Sequence, residues 1–249
     1  MRELVRGYAA AVLESAESAG RLDSVRGDLV EFARALTSSE KLRRALVDPM
    51  NATTTRREIV ADLLAGKATA ETAALLSFAV RAEKPSELPV SVAVLVKLAE
   101  NECRRSGTHA TIEMEPAASR GAVHARMRGY AGRVLEELSA AREVDEVEDE
   151  LFGIARLVDT NRTLRQTLSD ANVPLSGRIA VVEDLLGPVC KPATVRLVRY
   201  LLRAGHLRDL VGAVEWVVEL AAAERGRRVA SVRSAVALKP AERKRIAAA

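Results

Sequence analysis

Apolar residues recur along this chain at intervals of three and four, which places them on one face of an amphipathic α-helix. Leu4, Tyr8 and Val12 open the first such stripe, and Gly20 follows it as a helix stop. Later stripes are separated in the same way by helix-ending residues, namely Asp48-Pro49, Gly66 and Lys84-Pro85. The pattern predicts six helices within residues 1–105.

Cap residues refine two of these helices. Ser38 or Ser39 stands where it can cap a short third helix that ends before Asp48. Thr55 and Glu58 have the spacing of a capping box, which predicts the start of the fourth helix.

The pattern then returns in the second half. Residues 6–105 align with residues 128–227 at a constant shift of 122 and without a gap, and about 30 of the 100 pairs are identical. Arg6-Gly7-Tyr8-Ala9, for example, returns as Arg128-Gly129-Tyr130-Ala131. A repeated unit of about 100 residues has the size of a domain. We therefore expect an all-α fold of two tandem six-helix bundles, at residues 1–105 and 123–228.

Two segments depart from the helical period. Residues 108–116 alternate Ala110, Ile112 and Met114 with polar residues, and this two-residue period predicts a strand. Residues 229–240 occupy the equivalent place after the second repeat. We expect residues 106–122 to hold a strand and a linker, and residues 229–249 to begin a truncated C-terminal α/β domain.

Composition supports helices and excludes several classes of protein. Aromatic residues make up only 3% of the chain and hydrophobic residues 48%, so the cores must be built mainly from Leu, Val and Ala. The apolar runs 90–96 and 211–218 are too short to span a bilayer, and the N-terminus has no signal-peptide core. Cys103 and Cys190 occupy unrelated positions in the two repeats, which favours free thiols in a reducing cytosol.

No catalytic constellation is visible. The three histidines, His109, His124 and His206, are scattered and have no metal-ligand spacing. Lys67 after Gly66 lacks the other residues of a phosphate loop, so we interpret this segment as a helix end. The acidic run at residues 143–150 is interleaved with apolar residues at helical spacing and indicates a solvated helix face. We predict no catalytic residue, no metal site and no cofactor.

Several short motifs then occur in an order typical of one family. They are Arg-Gly-Tyr-Ala at the start of each repeat, Asp-Leu-Leu in helix four, residues 203–210 and residues 229–243. With them the chain resembles the delta subunit of F-type ATP synthase, the bacterial counterpart of the oligomycin-sensitivity-conferring protein. The family normally has one helical domain where this chain has two, and its C-terminal domain is cut off here after Ala249. The chain resembles the duplicated delta region that some bacteria fuse to a membrane-anchored b-like stalk.

The resemblance implies a non-enzymatic stator, a peripheral-stalk subunit that links the F1 head to the b stalk during proton-driven ATP synthesis. The implied partners are the N-terminus of the alpha subunit, the F1 head and a b or b-like stalk subunit, with no nucleic acid. Contact with the membrane is implied only through the complex, at the cytoplasmic face of the bacterial plasma membrane.

The resemblance also implies a binding site. In the family, a groove between helices one and five accepts the N-terminal helix of an alpha subunit. The matching positions here are Tyr8, Ala11, Val12, Leu75, Phe78 and Ala79 in the first repeat, and Tyr130, Val134, Leu197, Tyr200 and Leu201 in the second.

Two questions about this site stay open from the sequence. Arg133 replaces the small Ala11 in the second groove, which favours the first repeat, but the second repeat is the one joined to the C-terminal strand. The alternative to a binding groove is that the aromatic pairs simply fill a helix-one to helix-five contact inside each core.

A second function class is an all-helical RNA-binding module of the antitermination-factor type. It would use basic clusters on phosphates, namely Arg56-Arg57, Arg104-Arg105, Arg225 to Arg228 and Lys239 to Arg245. The overall charge is weak evidence for nucleic acid, because 38 basic residues are nearly balanced by 34 acidic ones. A generic scaffold without a stator role is a third possibility.

Overall fold

The computed structural model describes residues 3–108, 119–170, 172–204 and 210–224, together with residues 241 and 245. Over these ranges the backbone forms α-helices, one short 3₁₀ helix at Pro85–Glu87 and no strand, in agreement with the all-α prediction. The predicted strands at residues 108–116 and 229–240 lie outside the described residues, apart from Thr108, which ends a helix.

The helices of the first half are α1 (Glu3–Ser18), α2 (Leu22–Ser38), α3 (Glu40–Val47), α4 (Thr53–Leu64), α5 (Ala70–Ala82) and α6 (Leu88–Thr108). Those of the second half are α7 (Arg120–Ala141), α8 (Val144–Thr160), α9 (Arg162–Ser169), α10 (Leu175–Leu186), α11 (Pro192–Arg203) and α12 (Leu210–Glu224). The bounds of α2, α3 and α4 return in α8, α9 and α10 at the same shift of 122 residues.

Caps at equivalent positions explain why the helix starts coincide. Ser39 accepts a hydrogen bond from the backbone N–H of Leu42 at 3.2 Å, which confirms one of the two predicted caps of α3. In the second half Asn161 does the same for Leu164 at 3.0 Å. Gly20 and Gly66 end their helices with positive φ values of 66° and 67°, a conformation that favours glycine.

The predicted capping box of α4 is wrong. This helix begins at Thr53 rather than after Thr55, and its cap residue Ala52 makes no side-chain hydrogen bond. Arg56 is buried in the first turn of the helix, and its Nη2 donates to Thr53 Oγ1 at 2.9 Å. The helix α4 therefore starts earlier than the cap pattern predicts, and the buried Arg56 lies in its first turn.

A carboxylate from the second helix of each half caps the fifth. Asp28 on α2 accepts hydrogen bonds from the backbone N–H and the hydroxyl of Thr69, at 2.8 and 2.9 Å. Its equivalent on α8, Glu150, accepts the backbone N–H of Lys191 at 2.9 Å. Since a helix N-terminus carries unpaired donors and partial positive charge, each carboxylate fixes the start of its helix five.

Two clusters of buried apolar side chains form the interior. One is built from α1 to α6 and includes Leu29, Leu75 and Leu95, and the other is built mainly from α7 to α12 and includes Leu151 and Leu197. All of these side chains are almost fully buried. Leu, Val and Ala dominate both clusters, as the low aromatic content predicts.

Candidate functional site

The two halves meet where α1 crosses α7, a contact that we call the joint, and glycine sets the distance between these two helices. A Cβ atom at Gly7 would overlap the carbonyl oxygen of Arg126, and one at Gly129 would overlap the carbonyl oxygen of Leu4. Gly7 and Gly129 are equivalent in the two repeats. The crossing therefore brings two backbones into contact at a point where any side chain would push them apart.

An aromatic pair flanks the crossing on each side. The rings of Tyr8 on α1 and Phe78 on α5 stack with centroids 3.8 Å apart and an interplanar angle of 9°. Tyr130 on α7 and Tyr200 on α11 stack with centroids 3.7 Å apart and an angle of 6°. Each pair joins helix one to helix five of its own half.

The tyrosine hydroxyls reach across to the other half. Tyr8 donates a hydrogen bond to Glu136 Oε2 on α7 at 2.8 Å. Tyr130 donates to Glu14 Oε2 on α1, and Glu14 and Glu136 are again equivalent positions. The two halves thus exchange the same bond, which is the pattern of a two-fold symmetric interface.

Burial raises the pKa of both hydroxyls. The pKa of Tyr130 rises to about 12, chiefly because the charged phenolate would lose its hydration in the buried joint. The pKa of Tyr8 is also raised, first by burial and then by its hydrogen bond to the carboxylate of Glu136. Both groups are therefore neutral donors at physiological pH.

The ionic contacts differ between the halves. Around Glu14, helix α11 supplies Arg199, which pairs with the carboxylate, and Arg196, whose Nε lies 3.9 Å from Oε2. The Glu14 side chain is only 12% exposed. We call this cluster of Glu14, Tyr130, Tyr200, Arg196 and Arg199 the closed half.

Around Glu136 the corresponding positions of α5 are small. Ala74 and Ser77 stand where the closed half has Arg196 and Arg199. Glu136 is 44% exposed, and its nearest cations among the described residues are Arg81 at 3.8 Å and Arg133 at 3.6 Å. We call this side, with Tyr8 and Phe78, the open half.

The structure brings the predicted groove residues together, but it places most of them in the buried contact around the crossing of α1 and α7. Nine of them are buried, namely Tyr8, Ala11, Val12, Leu75, Ala79, Tyr130, Val134, Leu197 and Leu201. Phe78 and Tyr200 are half-buried at the rim. Ala11 packs into the core of the second half, and Arg196 Nη2 donates to its carbonyl oxygen at 3.3 Å. In each half, helix one of the other half covers the contact between helices one and five.

Sequence reasoning missed the residues that make the crossing. Gly7 with Gly129 and Glu14 with Glu136 are identical pairs in the repeat alignment, so a signal for them was present. A helical pattern could not show that they face each other, because it does not say which surfaces of the two halves of the chain meet. Arg56 and Arg178 form another such pair, and both are buried in the first turn of helix four.

Other candidate chemistry is absent from the described residues. They contain no group of three or more His, Cys, Asp or Glu side chains that could hold a metal ion. His124 lies edge-on to Trp216 with centroids 5.8 Å apart, whereas His109 and His206 fall outside these residues. No helix within the same ranges is long and apolar enough to cross a bilayer.

Comparison with known proteins places these features in a family. The family model described as "ATP synthase delta (OSCP) subunit" matches the chain twice, over residues 4–114 and 127–249. The "ATP synthase subunit delta" of Salinispora tropica is 33% identical over 223 residues, which cover 89% of this chain and 69% of that protein. Proteins of the same name from Parafrankia sp. and Streptomyces griseus are 31% and 29% identical, over 86% and 89% of this chain. The matches cover 65% and 70% of those two proteins, so the chain spans about two thirds of the length of these relatives.

Proposed function

The chain belongs to the ATP synthase delta (OSCP) subunit family, and we propose that it acts as a non-catalytic subunit of the peripheral stalk of F-type ATP synthase. The observation that carries this proposal is the match to the family over residues 4–114 and 127–249. In this role the chain links the F1 head to the stalk and holds the head against rotation during proton-driven ATP synthesis.

We further propose that the chain is built from two delta-like helical domains, at residues 1–105 and 123–228. The double match to the family, the recurring helix bounds and the two apolar clusters support this division. The equivalent carboxylate caps at Asp28 and Glu150 support it as well, because a cap between helices two and five belongs to one folded unit.

The proposed partners are the N-terminal helix of the alpha subunit, the rest of the F1 head and a b or b-like stalk subunit. For the alpha helix, the sequence prediction names the helix-one to helix-five contact. That contact is covered by α7 in the first half and by α1 in the second. We propose that the alpha-subunit helix docks along the accessible rim of the contact, where Phe78 and Tyr200 are half-buried. The complex would hold the chain at the cytoplasmic face of the plasma membrane.

The RNA-binding alternative receives no support from these comparisons. Arg56 is only 4% exposed and therefore offers no surface to a phosphate backbone. Arg104 Nη2 donates to Asn101, and Arg105 pairs with Glu102 on the same helix. Most of the remaining basic residues named for this function lie outside the described residues.

Affinity capture tests the proposed function. The tagged chain, produced at its native level in the organism that encodes it, should co-purify with the alpha subunit and a stalk subunit in a complex that hydrolyses ATP. Its depletion should uncouple ATP hydrolysis from proton pumping in membrane vesicles, because the head would no longer be held. Normal coupling after depletion would contradict the proposal.

A further inference from the structure

The open half of the joint contains a surface pocket with a volume of about 150 Å³. Its lining residues come from helices α1, α4, α5 and α7, namely Tyr8, Arg57, Ala74, Ser77, Phe78, Arg81 and Glu136. Arg57 and Arg81 are exposed at its mouth, and Phe78 is half-buried in its wall. The pocket is therefore reachable from solvent and has both an apolar wall and charged edges.

The closed half shows why this space exists. At the positions of Ala74 and Ser77 it carries Arg196 and Arg199, which reach across to α1. Replacing two long side chains with two small ones leaves the volume that they would fill. Two arginine side chains therefore occupy the closed half of the joint, whereas the open half has a pocket at the equivalent place.

The charges of the pocket favour an anionic group. Arg57 donates from Nε to Ser77 Oγ at 3.0 Å, and its guanidinium has no carboxylate partner among the described residues. Arg81 lies 4.9 Å from the centroid of Phe78 and only 3.8 Å from Glu136. Of the described residues that line the pocket, Glu136 alone is acidic, and it also accepts from Tyr8 and pairs loosely with Arg133.

The shape of the pocket favours one side chain of a protein over a nucleic-acid backbone. Phosphate backbones are bound by several spread cations, whereas here two guanidinium groups flank one apolar wall. A carboxylate can accept two N–H groups from a guanidinium in its own plane, and an apolar neighbour on the same helix would cover Phe78.

We propose that this pocket receives an acidic side chain of a partner's amphipathic helix, with Arg57 and Arg81 binding the carboxylate and Phe78 contacting the apolar face. The inference rests on the proposed function, because it states the chemistry of the helix that docks at the rim of the joint. It also assigns the docking to the first repeat, since the closed half has its own arginines paired with Glu14.

Two synthetic peptides of about 20 residues test the charge requirement. They share one apolar helix face and carry either Glu or Gln at the flanking positions. Calorimetric titration of the full chain should show about tenfold tighter binding of the Glu peptide at low salt, and added salt should reduce the difference. The double variant Arg57→Gln with Arg81→Gln should bind both peptides equally.

Arg34→Gln is the matched control, because Arg34 is an exposed arginine of the same repeat on α2, away from the pocket. It should keep the preference for the Glu peptide. Equal binding of the two peptides, no binding of either, or a preference that survives the double variant would each overturn the inference, as would RNA displacing the Glu peptide from the wild-type chain.

Capture of the F1 head separates this inference from the proposed function. If F1 binds the wild-type chain and the double variant equally, the stalk role stands and the pocket assignment fails. If F1 binds neither while the Glu peptide still requires both arginines, the pocket assignment stands and the stalk role fails. We expect F1 to bind the wild-type chain and to lose about tenfold in affinity for the double variant.

Discussion

At Glu14 the joint between the two repeats is closed, whereas at the equivalent Glu136 it is open. Both carboxylates accept a hydrogen bond from the tyrosine of the opposite half, so the two sites share their central contact. They differ in helix five, which supplies Arg196 and Arg199 on one side and Ala74 and Ser77 on the other.

The difference shows that two related sites in one interface can have different roles, one in stability and one in binding a partner. The closed half concentrates ionic contacts, and its carboxylate is largely removed from water. Such a site contributes to the stability of the joint. The open half keeps the stacked rings and the hydroxyl bond but leaves charged groups in solvent, where they are available to a partner.

Disrupting the glycine crossing has the largest expected effect, because both the closed and the open half depend on the contact of α1 with α7. Gly7→Ala should lower the free energy of unfolding by about 3 kcal/mol, because the new methyl group overlaps the backbone of Arg126. Urea denaturation of the full chain measures this. Gly27→Ala on α2 is the control: nothing lies within 4 Å of a Cβ there, and we expect a gain of up to about 1 kcal/mol. A similar gain at Gly7 would show that the repeats do not cross as described.

Neutralising each carboxylate sharpens the contrast between the halves. Glu14→Gln should destabilise the chain by about 2 kcal/mol, because Arg199 and Tyr130 lose a carboxylate that is only 12% exposed, even though Arg199 keeps Glu183 and Arg196 keeps Glu137. Glu136→Gln should cost less than about 1 kcal/mol, since this side chain is 44% exposed, its two arginines lie 3.6 and 3.8 Å away, and the amide oxygen of Gln can still accept from Tyr8. Denaturation of both variants under one set of conditions gives the difference, and equal losses would remove the distinction between closed and open halves.

Alkaline pH tests the buried hydroxyls. The pKa of Tyr130 is about 12 in the folded chain and about 10 in an unfolded one, so between these values the folded state holds the proton more tightly. Stability should therefore fall as pH rises from about 10 to about 12. Tyr130→Phe should cost about 1 kcal/mol at neutral pH and make this fall shallower. Tyr8→Phe should also make it shallower, because the pKa of Tyr8 is raised too. Identical slopes in the wild-type chain and both variants would contradict buried, proton-holding hydroxyls.

The smallest expected effect lies at the ends of the crossing helices. Arg142 follows α7 with a φ of 61°, at the position where the first repeat has Gly20 with a φ of 66°. Arg142→Gly should raise the free energy of unfolding by up to about 1 kcal/mol, since glycine adopts this conformation without steric cost. Gly20→Ala should lower it by a similar amount. Thermal unfolding measures both variants, and changes of the opposite sign would contradict this account.

Much of the fold followed from the sequence because helical periodicity and helix-ending residues are local features. Gly20, Gly66 and Ser39 act within a few residues of their own position, and each was placed correctly. The capping box at Thr55 failed because α4 already begins at Thr53, after an Ala52 that makes no side-chain cap, and the buried Arg56 belongs to its first turn. Local pattern alone does not register such tertiary burial.

The candidate site could be predicted only in part. The alignment of Tyr8 with Tyr130 and of Phe78 with Tyr200 identified the aromatic pairs, because the chain has few aromatic residues. It did not show that helix one of each repeat covers the pair of the other. That arrangement depends on how the two halves of the chain pack against each other, and no period in the sequence encodes it. Whether an alpha-subunit helix binds these residues stays a prediction.

The glycine crossing also limits how this protein can evolve. A substitution that overfills a core can be compensated by a second change when the neighbour it overlaps is a side chain, because that side chain can be replaced by a smaller one. At Gly7 and Gly129 the obstacle is the carbonyl group of the opposite helix, which every amino acid carries. No second-site replacement can remove it. Both positions must therefore remain glycine in both repeats. The helix-five residues of the joint are under no such limit, and they differ between the repeats as Ala74 and Ser77 against Arg196 and Arg199.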